Sequence, residues 1–147
     1  MLKLSRLTDY AVAAMVRLGV AGGAETSPAI AAAIGVPEPT VAKVLKMLAA
    51  RHLVASSRGV GGGYKLLRSL AEIMVIEVIV AIDGPVALVS CVEGHGAGCD
   101  NQLCPVVGRW DPVNEAIRAT LSGISLAAMA APARCDTGID VMTSEGV

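Results

Sequence analysis

The chain has 147 residues, a net charge of −1 and a hydrophobic share of 54%, with no Phe, one Trp and two Tyr. This length allows one domain, or one domain with an appendage, and the core must be aliphatic. No apolar run reaches the roughly 18 residues of a membrane-spanning helix. Because Lys3, Arg6 and Asp9 interrupt the start of the chain, it does not resemble a secretion signal. We therefore expect a cytoplasmic protein with no membrane partner and with four reduced cysteines.

The near-zero net charge hides an uneven distribution along the chain. Residues 40–68 contain six basic and no acidic side chains, whereas residues 84–147 contain seven acidic and three basic ones. The positive field of residues 40–68 would attract the negatively charged phosphate backbone of DNA. The distribution therefore predicts a basic DNA-binding part joined to an acidic part.

Three helices and a hairpin are predicted in the first half of the chain. The first helix spans about residues 5–20, and the second begins at Ser27-Pro28, with Ser27 as its N-cap, and ends at Gly35. Apolar residues at helical spacing mark the third helix: Val41, Val44, Leu45 and Leu48. Strands are expected near residues 53–56 and 64–67, on either side of a glycine-rich turn.

This order predicts a winged helix-turn-helix over residues 1–68, which places its third helix in the major groove of DNA. The alternative is a helical scaffold with a surface hairpin that binds no DNA. The absence of acidic residues from the basic stretch favours DNA binding.

The residues expected to contact DNA lie on the third helix and in the glycine-rich turn. Thr40 is placed to reach a base edge, and Lys43 and Lys46 are placed to meet phosphates. Arg58, at the tip of the turn, is expected to enter a narrow minor groove. Tyr64 either packs at the base of the wing or touches phosphate. The complete predicted set is Thr40, Lys43, Lys46, Arg51, Ser57, Arg58, Gly59, Gly62 and Tyr64.

A fourth helix, a cysteine-rich loop and a long helix are predicted over residues 69–130. Ser69 and Glu72 form an S-x-x-E capping box that starts the fourth helix. After the loop, residues 106–128 carry apolar side chains at heptad-like spacing. We expect a long helix that pairs with a second subunit, or that packs on its own chain. Pro112 either kinks this helix or follows a fresh start capped by Asp111. Residues 131–147 are predicted to be a flexible tail.

The loop at residues 91–104 carries Cys91, Cys99 and Cys104 at the spacing C-x7-C-x4-C, among glycines and polar residues. Such a loop cannot pack a core, whereas thiolates bind zinc, copper(I) or iron–sulfur clusters. We therefore predict that the three cysteines are metal ligands. His95 is the best local ligand that is not a thiol, although a polar loop residue is the other interpretation. Cys135, in the tail, is expected to be a free thiol.

These motifs resemble those of bacterial winged-helix iron–sulfur regulators of the IscR and NsrR kind. Such regulators govern iron–sulfur cluster assembly, nitrosative stress or cysteine metabolism. The resemblance covers residues 1 to about 130. It rests on LSRLTDYAV, VASSRGVGGGYKL, EVIVAIDGPVAL and the three cysteines that end in Cys104-Pro105. The overall character of the sequence is most similar to that of regulators of the SUF cluster-assembly operon. The resemblance implies a homodimer with crossed long helices and a cluster held by three cysteines in each subunit.

By the same resemblance, the fourth ligand and the cluster type have two readings. IscR-like members bind a 2Fe–2S cluster with a His three residues after the third cysteine, where this chain has Val107. NsrR-like members bind a 4Fe–4S cluster with an Asp from the first helix of the other subunit, where this chain has Asp9. The candidates for the fourth ligand are therefore His95 and Asp9 of the partner subunit. We expect a 2Fe–2S cluster rather than a 4Fe–4S cluster.

Together with what the resemblance implies, the sequence predicts a homodimeric transcriptional regulator, mostly a repressor, that binds a palindromic operator in double-stranded DNA. It would sense iron–sulfur cluster status and control SUF-like cluster-assembly genes. Three alternatives stay open: a nitric-oxide- or redox-responsive repressor with a 4Fe–4S cluster, a zinc-stabilised repressor that senses nothing, and a cluster carrier whose winged module docks protein. The sequence contains no paired-carboxylate site, activated nucleophile or full nucleotide-binding fingerprint. We therefore expect neither an enzyme nor a small-molecule substrate.

Overall fold

The computed structural model of the chain describes residues 3–89 and 105–132. Within these ranges the chain is mainly helical and carries one two-stranded antiparallel hairpin, as predicted. The elements in order are α1 (Arg6–Ala21), α2 (Ser27–Ile34), α3 (Glu38–Ala50), β1 (Val54–Ser57), β2 (Gly63–Leu66), α4 (Val75–Asp83), α5 (Asp111–Ser122) and α6 (Leu126–Ala130). In the described ranges, no helix combines the length and the apolar character that crossing a membrane requires.

The first two helices begin and end at local capping signals. The Ser5 hydroxyl accepts the Thr8 N–H at 3.2 Å and caps α1, and Gly22 ends this helix in the left-handed region at φ 69°. The predicted N-cap of α2, Ser27, is wrong by one residue. Thr26 has the extended backbone of an N-cap and accepts the Ala29 N–H at 3.4 Å.

The apolar faces of five helices and the hairpin enclose a single core. The inner face of α3 is buried as its spacing predicts. The α4 segment and α6 add residues to the same cluster, so this core includes residues on both sides of position 68. Its buried members include Ala14, Met15, Leu18, Ile30, Val41, Val44, Leu45, Leu48, Val54, Ile73, Val78 and Leu126.

The predicted start of the fourth helix is wrong. The carboxylate of Glu72 does accept the Ser69 N–H at 3.0 Å and the Ser69 hydroxyl at 2.7 Å, but this box closes a turn and not a helix. The Ile73 carbonyl is already engaged by α6, because it accepts the Leu126 N–H at 2.9 Å. The helix therefore begins only at Val75.

The predicted long helix over residues 106–128 is not observed as one element. It divides into α5 and α6, with Gly123, Ile124 and Ser125 between them. The Ile124 carbonyl accepts the Val75 N–H at 2.8 Å, so this stretch pairs with the extended main chain before α4. At the other end, Pro112 stands in the first turn of α5 and does not kink it, and Trp110, not Asp111, is the N-cap.

Candidate nucleic-acid interface and the ends of the cysteine segment

The outer face of α3 presents two ammonium groups and a hydroxyl. Lys43 and Lys46 are exposed, and Thr40 is half-buried in the first turn of the helix. Residues three apart share one face of a helix, and the opposite face is buried in the core. The three predicted contact residues of α3 therefore lie along one face that the core leaves open.

A contact that the sequence analysis missed joins the N-termini of α2 and α3. The Ser27 hydroxyl donates to the Glu38 carboxylate at 2.6 Å. Glu38 lies in the first turn of α3, where a negative side chain complements the positive end of the helix dipole. The contact fixes the entry of α3 relative to α2. Glu38 directly after Pro37 was a helix-start signal that the sequence analysis passed over.

The turn between the two strands is thin because it consists largely of glycine. Gly59 and Gly61 adopt positive φ values of 94° and 77°, and the Gly62 N–H donates to the Gly59 carbonyl at 2.9 Å. A Cβ on Gly62 would lie 2.6 Å from the Ser57 carbonyl oxygen. Arg58, Ser57 and Gly59 are exposed and Gly62 is half-buried. The turn therefore places the Arg58 guanidinium on a narrow projection.

The base of the hairpin is attached to the main chain between α1 and α2. The Tyr64 N–H donates to the Glu25 carbonyl at 2.7 Å, and the Glu25 N–H donates to the Tyr64 carbonyl at 2.9 Å. Gly63, with φ 139°, permits this approach, because a Cβ there would lie 2.4 Å from the Glu25 oxygen. Tyr64 packs against the hydrophobic core. This packing is one of its two predicted roles, and the contact with phosphate stays a prediction.

Glu25 is held in turn by Arg17 of α1, and this pair was also missed. The Arg17 Nη2 and Nε atoms donate to the two carboxylate oxygens at 2.6 and 2.9 Å. The hydrogen bond and the charge of Glu25 raise the pKa of Arg17 above its ordinary value. The pair connects α1 to the wing through Glu25. No motif spans the glycine pair that separates the two residues, so the sequence carried no signal for it.

One cation of the basic stretch at residues 40–68 forms an ion pair within the chain. Arg68 pairs with Glu77 of α4, and the hydrogen bond that Arg68 donates to the Glu77 carboxylate raises the pKa of Arg68. Among the described residues, the cations of α3 and the wing form no such ion pair. The four that were predicted to contact DNA are exposed: Lys43, Lys46, Arg51 and Arg58.

The predicted metal ligands lie outside the described residues. These are Cys91, His95, Cys99 and Cys104, and the predicted free thiol Cys135 also lies outside. Within residues 3–89 and 105–132, no group of three or more His, Cys, Asp or Glu side chains is arranged to hold a metal ion. The other ligand candidate, Asp9, is exposed in the first turn of α1.

Residues 83–89 lead into the cysteine segment, which is the predicted loop at residues 91–104. The start of this stretch is joined to α1. The Asp83 carboxylate, at the end of α4, accepts the Thr8 hydroxyl at 2.7 Å and the Ser5 N–H at 3.2 Å. Burial by itself raises the pKa of Asp83, but the hydrogen bonds from Ser5 and Thr8 outweigh it, so the pKa is lowered. The charged carboxylate is thus the form that the start of α1 stabilises.

The same stretch is tied to α5 further along. Asn114 is buried at 3% exposure. Its Oδ1 accepts the Leu88 N–H at 3.1 Å, and its Nδ2 donates to the Val86 carbonyl at 3.1 Å. The side chain therefore satisfies main-chain groups just before Cys91 from a helix that begins just after Cys104. An Asn in an otherwise apolar stripe was the sequence signal, and it was not recognised.

Comparison with known proteins identifies the family. Residues 4–132 match the Rrf2 model, described as an iron-dependent transcriptional regulator. The chain belongs to the Rrf2 family. The match includes the wing, the stretch before Cys91 and both C-terminal helices, and it confirms the resemblance drawn from the sequence motifs.

Individual members of the family are similar over most of their length. The transcriptional regulator IscR of Klebsiella pneumoniae is 33% identical over 129 residues, which cover 85% of this chain and 77% of that protein. Among solved structures, CymR, the global cysteine regulator of B. subtilis, superimposes with a TM-score of 0.70 at 25% identity, covering 88% and 97% of the two chains. IscR of T. potens gives 0.66 at 28% identity, covering 87% and 85%. The chain is thus a winged-helix transcriptional regulator.

Proposed function

We propose that this Rrf2-family regulator is a homodimeric repressor that binds a palindromic operator and senses iron–sulfur cluster status, controlling SUF-like cluster-assembly genes. The observation that carries DNA binding is the exposure of three cations, Lys43 and Lys46 on α3 and Arg58 in the wing. Phosphate contacts from α3 would position the protein, and Thr40 and Arg58 would supply base and groove readout. The proposal places the protein in the cytoplasm and gives it no enzymatic activity and no small-molecule substrate.

The cluster would be held by Cys91, Cys99 and Cys104, with His95 or Asp9 of the partner subunit as fourth ligand. Three thiolates are a donor set that suits an iron–sulfur cluster. The main chain just before this segment is held by α5, because Asn114 accepts the Leu88 N–H three residues before Cys91. When bound, the cluster would supply a redox-sensitive inorganic centre in the segment of the chain that connects α4 to α5. We propose the 2Fe–2S type.

Two ties would transmit a change in the cysteine segment. Asp83 connects the start of the preceding stretch to α1, and Asn114 connects its end to α5. A cluster that favours one arrangement of this stretch would favour one spacing of the two α3 helices in a dimer. Operator half-sites about one helical turn apart demand a fixed spacing. DNA affinity would then follow cluster occupancy by a population shift.

The homodimer is supported by α5. Asn114 is the single buried residue of this helix. Val113 is 44% exposed, and Trp110, which lies just before the helix, is 41% exposed. Together with Ile117 and Leu121, Val113 lines a shallow groove along the helix. An apolar helix face that the described part of the chain does not cover is suited to an isologous contact with the same helix of a second subunit.

The cluster is tested by purifying the full chain without oxygen and measuring its visible spectrum, iron and sulfide. We expect a brown protein with equal amounts of iron and sulfide. Cys91→Ser, Cys99→Ser and Cys104→Ser should each lose the iron, and the control Cys135→Ser should keep it. A colourless protein that contains zinc would contradict sensing. Four irons per cluster would favour the nitric-oxide- or redox-responsive alternative, which the exposed position of Asp9 supports.

DNA binding is tested with a duplex selected from a random pool. If Arg58 reads a narrow minor groove, Arg58→Ala should cost about 1–3 kcal/mol on that duplex and flatten the sequence preference. If Lys46 meets phosphate alone, Lys46→Ala should weaken selected and random DNA alike and lower the salt slope by roughly one unit. Equal losses on both DNAs for both variants would assign specificity to α3, near Thr40, and not to the wing.

A further inference from the structure

The tip of the wing carries a wholly exposed aliphatic residue. In the turn at residues 58–62, Arg58 and Val60 have side chains and the other three residues are glycines. The relative exposure of Val60 is 110%, so nothing in the described part of the chain covers its isopropyl group. The fold gives Val60 no packing role, although it lies two residues from the proposed groove-reading arginine.

The turn holds Val60 outward. It follows directly on Ser57, which is paired with Gly63 at the end of the hairpin. The Gly62 N–H donates to the Gly59 carbonyl across it. The main chain packs too closely at Gly62 for any larger residue there. The hairpin is in turn joined to α1 through the Arg17–Glu25 pair. A β-branched side chain is also stiff at χ1. Val60 is therefore held outward with few χ1 rotamers before any partner binds.

We propose that Val60 is a specificity-determining residue for DNA: its isopropyl group packs against the apolar deoxyribose walls of an A·T-rich minor groove that Arg58 enters. This inference rests on the proposed DNA-binding function. Two residues along a chain span at most about 7 Å, and the minor groove is about 6 Å wide. If Arg58 enters the groove, Val60 is therefore close enough along the chain to reach a wall of the same groove.

Contact with the sugar walls fits Val60 better than insertion between bases. Apolar wedges that unstack a base step are mostly longer side chains or a proline ring, whereas the isopropyl group ends close to the main chain. Leaving water for the groove walls is favourable for such a group. A G·C pair places an amino group in the minor groove, which would hold the isopropyl group away. The contact therefore favours A·T pairs.

The test measures fluorescence anisotropy of the full chain with the selected duplex over a range of salt concentrations. Val60→Ala should weaken binding about 3- to 10-fold, and tenfold corresponds to 1.4 kcal/mol. The salt slope should not change, because no counterion is involved, whereas Arg58→Ala should lower it. Val60→Thr is the matched control, since it keeps the shape and β-branching but replaces a methyl group by a hydroxyl. It should weaken binding as Val60→Ala does.

The groove is identified by changing the DNA. With G·C pairs under the wing, wild type and Val60→Ala should bind equally. With inosine·C pairs, which lack the amino group, the difference should return. Because nothing in residues 3–89 and 105–132 covers the Val60 side chain, its variants should unfold at the same urea concentration as the wild type.

Three results would overturn the inference while DNA binding stands. These are wild-type affinity in Val60→Ala, wild-type affinity in Val60→Thr, and a penalty that is unchanged on G·C pairs. If no duplex binds in a salt-dependent way, the proposed function itself is wrong, and the inference is wrong with it.

Discussion

At the scale of single residues, the side chains that organise this protein are polar groups that satisfy main-chain atoms. Asn114 is the clearest case, because it is the one buried side chain of α5 and its amide serves both the Val86 carbonyl and the Leu88 N–H. A buried main-chain group that loses its partner costs more than the net value of the hydrogen bond. The main-chain groups of Val86 and Leu88 therefore depend on this one residue.

We expect Asn114→Ala to destabilise the protein by about 1–3 kcal/mol, because two main-chain groups lose their partner. The measurement is urea unfolding of the apo protein followed by circular dichroism. Glu115→Ala, at the exposed neighbouring position, is the control and should change stability by less than about 0.5 kcal/mol. Equal stability of both variants would show that water replaces the amide.

At the scale of elements, the base of the wing approaches the main chain between α1 and α2 closely. The main chains of Tyr64 and Glu25 exchange two hydrogen bonds. The glycine before Tyr64 leaves no room for a side chain, because a Cβ would lie 2.4 Å from the Glu25 oxygen. The position of the turn that carries Arg58 is therefore set at Gly63.

We expect Gly63→Ala to shift the wing and to reduce DNA affinity at least tenfold, or about 1.4 kcal/mol, while helix content is kept. The clash is with main-chain atoms, which cannot move aside as a flexible side chain can. Gly23→Ala is the control, because a Cβ there meets nothing within 4 Å. Affinity and circular dichroism are measured for both. Wild-type affinity in Gly63→Ala would mean that the wing is not rigidly placed.

The junction between α1 and α4 should depend on pH. Burial opposes the charged form of Asp83, but hydrogen bonds from Ser5 and Thr8 lower its pKa. A carboxyl with a lowered folded pKa contributes stability above its unfolded value near 4, and this contribution is lost as the pH falls through the folded value. Asp83→Asn should therefore flatten the pH dependence of urea unfolding below about pH 5. Glu115→Gln, an exposed carboxyl of α5, is the control. An unchanged pH profile in Asp83→Asn would contradict the assignment.

At the scale of the whole molecule, the helices on both sides of the cysteine segment share one core. Leu126 of α6 is fully buried with the residues of α1 and α3, so the C-terminal part closes back on the winged helix. The division into residues 1–68, 69–130 and 131–147 stays a prediction. α5 precedes α6 in the chain and carries the exposed apolar face that the proposed homodimer would bury.

We expect Val113→Glu to convert the dimer to a monomer, because it places a charge in the proposed contact. Val113 is 44% exposed, so the fold of each subunit should survive. Analytical ultracentrifugation gives the mass, and circular dichroism gives the fold. Glu115→Gln, on the same helix, should stay dimeric. A monomeric wild type, or a dimeric Val113→Glu, would remove α5 from the interface.

The sequence by itself determined the elements whose signals are local. Ser5, Gly22 and Gly35 mark helix ends, the apolar spacing of α3 marks its buried face, and the glycine-rich turn marks the wing. Each of these depends on interactions within a few residues of the chain. The motif around the turn also pointed to the family, because its combination of glycines with Arg58 is quite specific.

Only the tertiary structure decided where α4 begins and where the C-terminal helix divides. Both follow from the pairing of residues 73–75 with residues 124–126, and the helical periodicity of each segment continues through its own break. The ties made by Arg17, Asp83 and Asn114 also join residues that no local pattern connects. Long-range pairing overrides local propensity because a buried main-chain group must find a partner wherever the fold places one.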